Sequence, residues 1–188
     1  SGLLNKEGRA KNNATIGESN TIVNVESSIT AGITNTIKDS SYNAVFGETN
    51  VINSTIKSLI GGNDNQITNV ESVAVFGGHH GVSQQTKNSL IAGRTNIEKA
   101  GLNNVVAGNI NDVTRETNSF VNGRNHTILD GSQNIISGDS QNVDTLTNSM
   151  LIGKSNVVNT IQNSSVIGES NDLSNNVLNS LTMGKENK

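Results

Sequence analysis

The sequence predicts an all-β parallel solenoid, and three periodic observations carry that prediction. First, glycine recurs at Gly17, Gly32, Gly47, Gly62, Gly77, Gly93, Gly108, Gly123, Gly138, Gly153, Gly168 and Gly184. The steps are 15 residues, except for two of 16, from Gly77 to Gly93 and from Gly168 to Gly184. Second, each of these glycines closes a short apolar run. Third, the residue two places before the glycine (position −2) is β-branched in every repeat but the one with Leu151. A branched Cβ packs well on a pleated surface and is disfavoured in a helix. The expected fold is therefore a β-roll of about 12 coils of 15–16 residues.

The first strand of each coil runs up to the glycine. Its side chains alternate, so positions −3 and −1 share one face and −2 the other. The −3/−1 pair trades volume. Ala44/Phe46 and Ala74/Phe76 are small then large, whereas Ile29/Ala31, Leu59/Gly61 and Phe120/Asn122 are large then small. Through the first six coils the large residue also changes side from one coil to the next. The exchange predicts a narrow interior on that face, with room for about one bulky side chain per layer.

The corner comes next. The glycine is expected to supply a positive-φ bend. Three residues later stands asparagine in most coils (Asn20, Asn35, Asn50, Asn65, Asn96, Asn111), with His80, His126 and Gln141 in the same slot. Asparagine there is expected to tolerate positive φ and to bond the backbone or its own counterpart one coil away. A second strand follows, with one apolar position at +5 (Ile22, Ile37, Ile52, Ile67, Val82, Val113). The sixth coil breaks the rule, with Ile97 one place early and Glu98 at +5. Polar flanks predict that this strand is buried on one face only. Residues 1–11 lack the pattern and are expected to form a leading cap or tail; residues 12–188 form the repeat domain.

The glycine strand is apolar on both faces, so it needs two covers. One is the roll interior. The −2 column (Val45, Ile60, Val75, Ile91, Val106, Val121, Ile136, Leu151 and Val166) is read as the outward face, covered by another copy of the chain. At a spacing of ~4.8 Å per coil the strip is roughly 55 Å long, which a soluble monomer rarely exposes.

Bulk properties exclude several functions. The net charge is −3 and aromatic residues are 2% of the chain, without a basic cluster, so no nucleic-acid partner is expected. Cysteine is absent, which removes disulfides and thiolate metal sites. No apolar stretch is long enough to span a bilayer, so no direct membrane insertion is expected. The Ser1-Gly2 start is read as a cloning scar on an excised fragment.

At this point the hexapeptides carry a resemblance. Asn88-Ser-Leu-Ile-Ala-Gly93, Asn118-Ser-Phe-Val-Asn-Gly123, Asn148-Ser-Met-Leu-Ile-Gly153, Asn163-Ser-Ser-Val-Ile-Gly168 and Asn179-Ser-Leu-Thr-Met-Gly184 resemble the Asn-Ser-Val-Ala-Ile-Gly repeat of YadA-like heads. These belong to the trimeric autotransporter adhesins of Gram-negative bacteria. The resemblance covers about residues 12–188. It implies a left-handed β-roll, a homotrimer around a common axis, and display on the bacterial cell surface beyond the outer membrane, by a stalk and anchor missing here. It also implies adhesion to collagen, fibronectin, laminin, or an immunoglobulin-type receptor such as a CEACAM. Two departures stand out. Family repeats are shorter by about one residue, and the position often occupied by alanine is here a larger β-branched residue.

No catalytic residue, cofactor site or metal site is expected. His79 and His80 lack a third ligand nearby, and His80 and His126 fill the corner slot. Gly61-Gly-Asn-Asp-Asn65 occurs once, whereas calcium-binding nonapeptides work in tandem. Serines lie outside any Gly-x-Ser-x-Gly elbow, and the carboxylates are read as surface groups without a buried pair. The candidate ligand patch is the irregular coil between Gly77 and Gly93, with His79, His80, Gln84, Gln85 and Lys87, together with the lone tyrosine, Tyr42. The expected function is adhesion by multivalent faces. The alternative is a passive spacer or bacterial self-aggregation module.

Overall fold

A computed structural model describes residues 4–174 and 176–187. Residues 1–3 of the predicted cap, and Asn175 and Lys188 of the predicted repeat domain, lie outside the described residues. The described chain is a parallel β-solenoid built as two sheets. One sheet stacks the glycine-bearing strands, from Ala14–Glu18 and Ile29–Ile33 to Leu181–Lys185. The other stacks the second strands, from Thr21–Glu26 and Thr36–Ser41 to Asp172–Leu173. Each strand pairs in parallel with its counterpart one coil away, so Ala44 meets Leu59 and Gly47 meets Gly62. The predicted cap is drawn into this order: Lys6–Gly8 pairs with Thr21–Val23, and Lys11 bridges Glu26.

The glycines take φ from 110° to 141°. They are required for a second reason. A Cβ on Gly108 would overlap the carbonyl oxygen of Gly123 one coil further on. The predicted positive φ of the corner asparagines belongs elsewhere. Residues just before them, such as Ser19, Thr34 and Thr49, carry the left-handed conformation, with φ of 57° to 59°. Two more left-handed residues complete each coil, one within the second strand (Asn24, Asp39) and one at the far corner (Asn88, Asn103, Asn118). The far-corner residue is the asparagine that opens the hexapeptide. Asparagine tolerates this conformation better than most residues because its short amide bonds locally.

The two faces of the glycine strand are the reverse of the sequence expectation. Val45, Ile60, Val75, Ile91, Val106, Val121, Ile136, Leu151 and Val166 are all 0% exposed within a single chain. They line the roll's own interior, opposite the +5 column of Ile22, Ile37, Ile52, Ile67, Val82 and Val113. They cannot be the outer covering face. The physical reason is the constant cross-section of a stacked coil. This interior column holds side chains of similar volume, Val, Ile or Leu from Val45 to Val166 and threonine at Thr15 and Thr30, which pack at constant density coil after coil. The pair that trades volume lies outside, where its limits within the chain are the side chains of neighbouring coils, as where Phe76 lies over Gly61. Each enclosed aliphatic side chain contributes about 1.5–3 kcal/mol by leaving water.

The extra residue of the fifth coil is absorbed at one place. Val82 pairs with Ile67, but Lys87 is the partner of Glu71, so the additional residue falls between them. Gln84 and Gln85 take it up, with φ of 60° and 66° in succession.

Candidate functional site

The outer face of the glycine sheet carries a row of exposed large apolar side chains. Ile16 is 55% exposed, Ile29 48%, Phe46 42%, Phe120 44% and Ile135 49%, all on one face of a stack in register. The side chains interlock along the stack. The ring of Phe76 lies over Gly61, so that a Cβ there would be 3.3 Å from the ring edge. The large residue alternates between −1 and −3 from Ile16 to Leu90, then stays at −3 through Val105, Phe120 and Ile135. Nothing in the roll's own core covers this ladder.

Both corners are held by buried polar ladders. At the near corner, Asn35 Oδ1 accepts the backbone N–H of Asn50 at 3.0 Å and its side-chain amide at 2.9 Å. The same Asn50 amide donates to Gly62 O at 2.7 Å. At the far corner, asparagine and serine do similar work. Ser58 N–H donates to Asn43 Oδ1 at 2.9 Å, and Ser119 N–H donates to Asn104 Oδ1 at 3.0 Å. Val73 interrupts this second ladder, one coil before the extra residue. It still donates its N–H to Ser58 Oγ at 3.2 Å but offers no side-chain acceptor to the next coil.

His80 and His126 sit in the near-corner ladder and reproduce the amide that they replace. The backbone N–H of Asn96 donates to His80 Nδ1 at 3.1 Å, and His80 Nε2 lies 3.1 Å from Phe76 O. His126 repeats the arrangement, with Gln141 N–H on Nδ1 at 3.3 Å and Asn122 O at 3.1 Å from Nε2. Burial lowers the pKa of both rings below the ordinary value of 6.5.

The predicted ligand patch is not one surface. His79 lies at the near corner, beside Asp64 at 3.7 Å, and shares an open groove with Gly78 and Arg94. His80 is 1% exposed and belongs to the interior, so, contrary to the sequence expectation, it presents no surface to a ligand. Gln85 and Lys87 border a different groove, with Ser54, Ile56 and Asn69. Lys87 is paired with Glu71 at 3.1 Å. Tyr42 is well exposed, but it stands three coils before Asn88 in the far-corner column.

The reading of the carboxylates as surface groups also fails at two positions. Glu98 and Glu116 are both 0% exposed. Burial pushes each up to about 7. The break at Glu98 was visible in the sequence, since it replaces an aliphatic residue in a regular column. Glu116 had no such signal, because its column mixes Val25, Ser40, Thr55 and Gly101. Surface ion pairs link neighbouring coils at Lys11–Glu26 and Arg124–Asp139, 3.1 Å and 2.7 Å long. Arg124 holds Asp139 down to about 2. Such exposed pairs add little stability.

Among the described residues no group of three or more His, Cys, Asp or Glu side chains could hold a metal ion. Comparison of the sequence with known protein families and with characterised proteins gives no match.

Proposed function

We propose that this chain is a self-associating surface-display head, assembled as a homotrimer, that adheres to a host receptor or extracellular-matrix protein. The exposed apolar ladder of Ile16, Ile29, Phe46, Phe76, Phe120 and Ile135 carries the reading. A strip of large apolar side chains along a whole sheet face is what an interface between copies would cover. The hexapeptide resemblance to YadA-like heads supports three copies around an axis parallel to the solenoid, in a left-handed roll displayed beyond the outer membrane. Three identical outer surfaces would then give avidity to individually weak contacts.

The test is molar mass in solution by light scattering. The trimer has about 59 kDa, three times the 19.7 kDa chain. Phe76→Asp combined with Phe120→Asp should reduce it to the monomer mass while the strand signal in circular dichroism is kept. A wild-type chain that stays at 19.7 kDa as protein concentration is raised would overturn the assembly.

The second reading, a passive spacer, is favoured by the separation of Tyr42, His79 and Lys87 onto different parts of the surface. Binding of the trimer to collagen, fibronectin and CEACAM-coated surfaces separates the two. A spacer binds none of them.

A further inference from the structure

Two carboxyl groups lie inside the roll, in columns that other coils fill with aliphatic or small side chains. Glu98 stands between Val82 and Val113. Glu116 stands beside Gly131, in the column that continues to Leu146. Each is seated in the same way. A Cβ on Gly101 would overlap Glu98 Oε1, and one on Gly131 would overlap Glu116 Oε1, so glycine makes the room. Ser89 Oγ and Asn104 Nδ2 donate to Glu98 Oε1 at 3.1 Å and 2.9 Å. Ser119 Oγ and Asn134 Nδ2 donate to Glu116 Oε2 at 2.6 Å and 3.2 Å.

Every one of these donors is neutral. Glu98 Oε2 is buried with no hydrogen-bond partner. On the strands around Glu98, the ionisable side chains Arg94, Lys99, Asp112 and Arg115 lie on the outer surface. Around Glu116 the same holds for Arg124, Asp130, Asp139 and Asp144. Arg115 is tied to Asp130, and the Asp130 charge opposes ionisation of Glu116. A carboxylate without a counter-ion is costly in such a place, whereas a neutral carboxyl is tolerated.

We propose that the folded protein carries Glu98 and Glu116 protonated, and that their coils form a proton-dependent segment of the solenoid, closed in acid and loosened locally when the protons leave. A solenoid permits this, because each coil is held only by its neighbours and can open without the rest. The sign follows from linkage. The unfolded groups titrate near 4.5 and the buried ones at about 7. The folded state therefore binds more protons between these values, and stability falls as pH rises through that window, then levels off. His80 and His126 pull the other way, so the comparison is made in a background with both replaced by asparagine.

Hydrogen exchange of the full chain, corrected for intrinsic rates, is compared at pH 5 and pH 8. Peptides covering residues 97–134 should open more readily at the higher pH, by about tenfold for each pH unit over which a single glutamate stays protonated only in the folded state. Residues 36–71 should not change in step. Glu98→Gln with Glu116→Gln should abolish the difference. The 13C shifts of the two wild-type side-chain carboxyls should titrate near neutrality. Titration in the ordinary glutamate range, or an undiminished difference in the glutamine variant, overturns the proposal. If that variant fails to fold, the wild-type titration decides alone.

Discussion

His80 Nδ1 accepts the backbone N–H of Asn96 at 3.1 Å, across the gap between two coils. The ring can do this only without a proton on Nδ1, and Nε2 then carries the proton toward Phe76 O. Protonation would set two N–H groups against each other at the corner. The unfolded ring titrates near 6.5 and the folded one lower, so the unfolded state binds more protons below 6.5. Stability is full above that pH and is lost as pH falls through it. His80→Asn and His126→Asn should remove this loss, because asparagine fills the slot in neighbouring coils. Urea denaturation at pH 5 and pH 7.5 checks it: the variants should gain on wild type only in acid.

Gly108 and Gly78 offer a second contrast. At Gly108 φ is 110° and a Cβ would overlap Gly123 O, while at Gly78 a Cβ would have Asn63 O at 3.4 Å, an ordinary contact. Gly108→Ala should cost about 3 kcal/mol or more, since backbone strain and the overlap both act. Gly78→Ala should lie within about 0.5 kcal/mol of wild type. Thermal unfolding of the two variants measures the difference.

Phe120 and Val121 are neighbours with opposite fates, one 44% exposed and the other 0%. Val121→Ala should cost about 2 kcal/mol of chain stability through lost burial and the cavity left behind. Phe120→Ala should leave the isolated chain's stability nearly unchanged but weaken the association of copies. Denaturation read together with light scattering across protein concentration separates these effects.

The same pair shows what could be read from the sequence. Periodic glycines and the alternation around them gave the parallel coils, the two sheets and the enclosed +5 column. They could not say which face of the glycine strand points inward, because both faces are apolar. Volume uniformity along Val106, Val121 and Ile136 marks the inward face, and the volume trade at Phe120/Asn122 marks the outer one. The ladder role of Asn50 was legible from repetition alone. The seating of Glu116 was not, since it depends on Gly131 in the following coil and on Asn134 beyond it.

Tyr42 supports a last prediction. It occupies the far-corner slot that asparagine holds in Asn88, Asn103 and Asn118, with φ of 59°, and is 56% exposed. An aromatic residue gains nothing from a left-handed corner and loses about 1 kcal/mol there relative to asparagine. Tyr42→Asn should therefore stabilise the protein by about 0.5–1 kcal/mol in denaturant titrations. The same variant reports on adhesion. If stability rises and binding to the receptor-coated surface falls, the strained tyrosine is part of the contact surface. If stability rises and binding is unchanged, Tyr42 lies outside it, and the search moves to the groove beside Gln85 and Lys87.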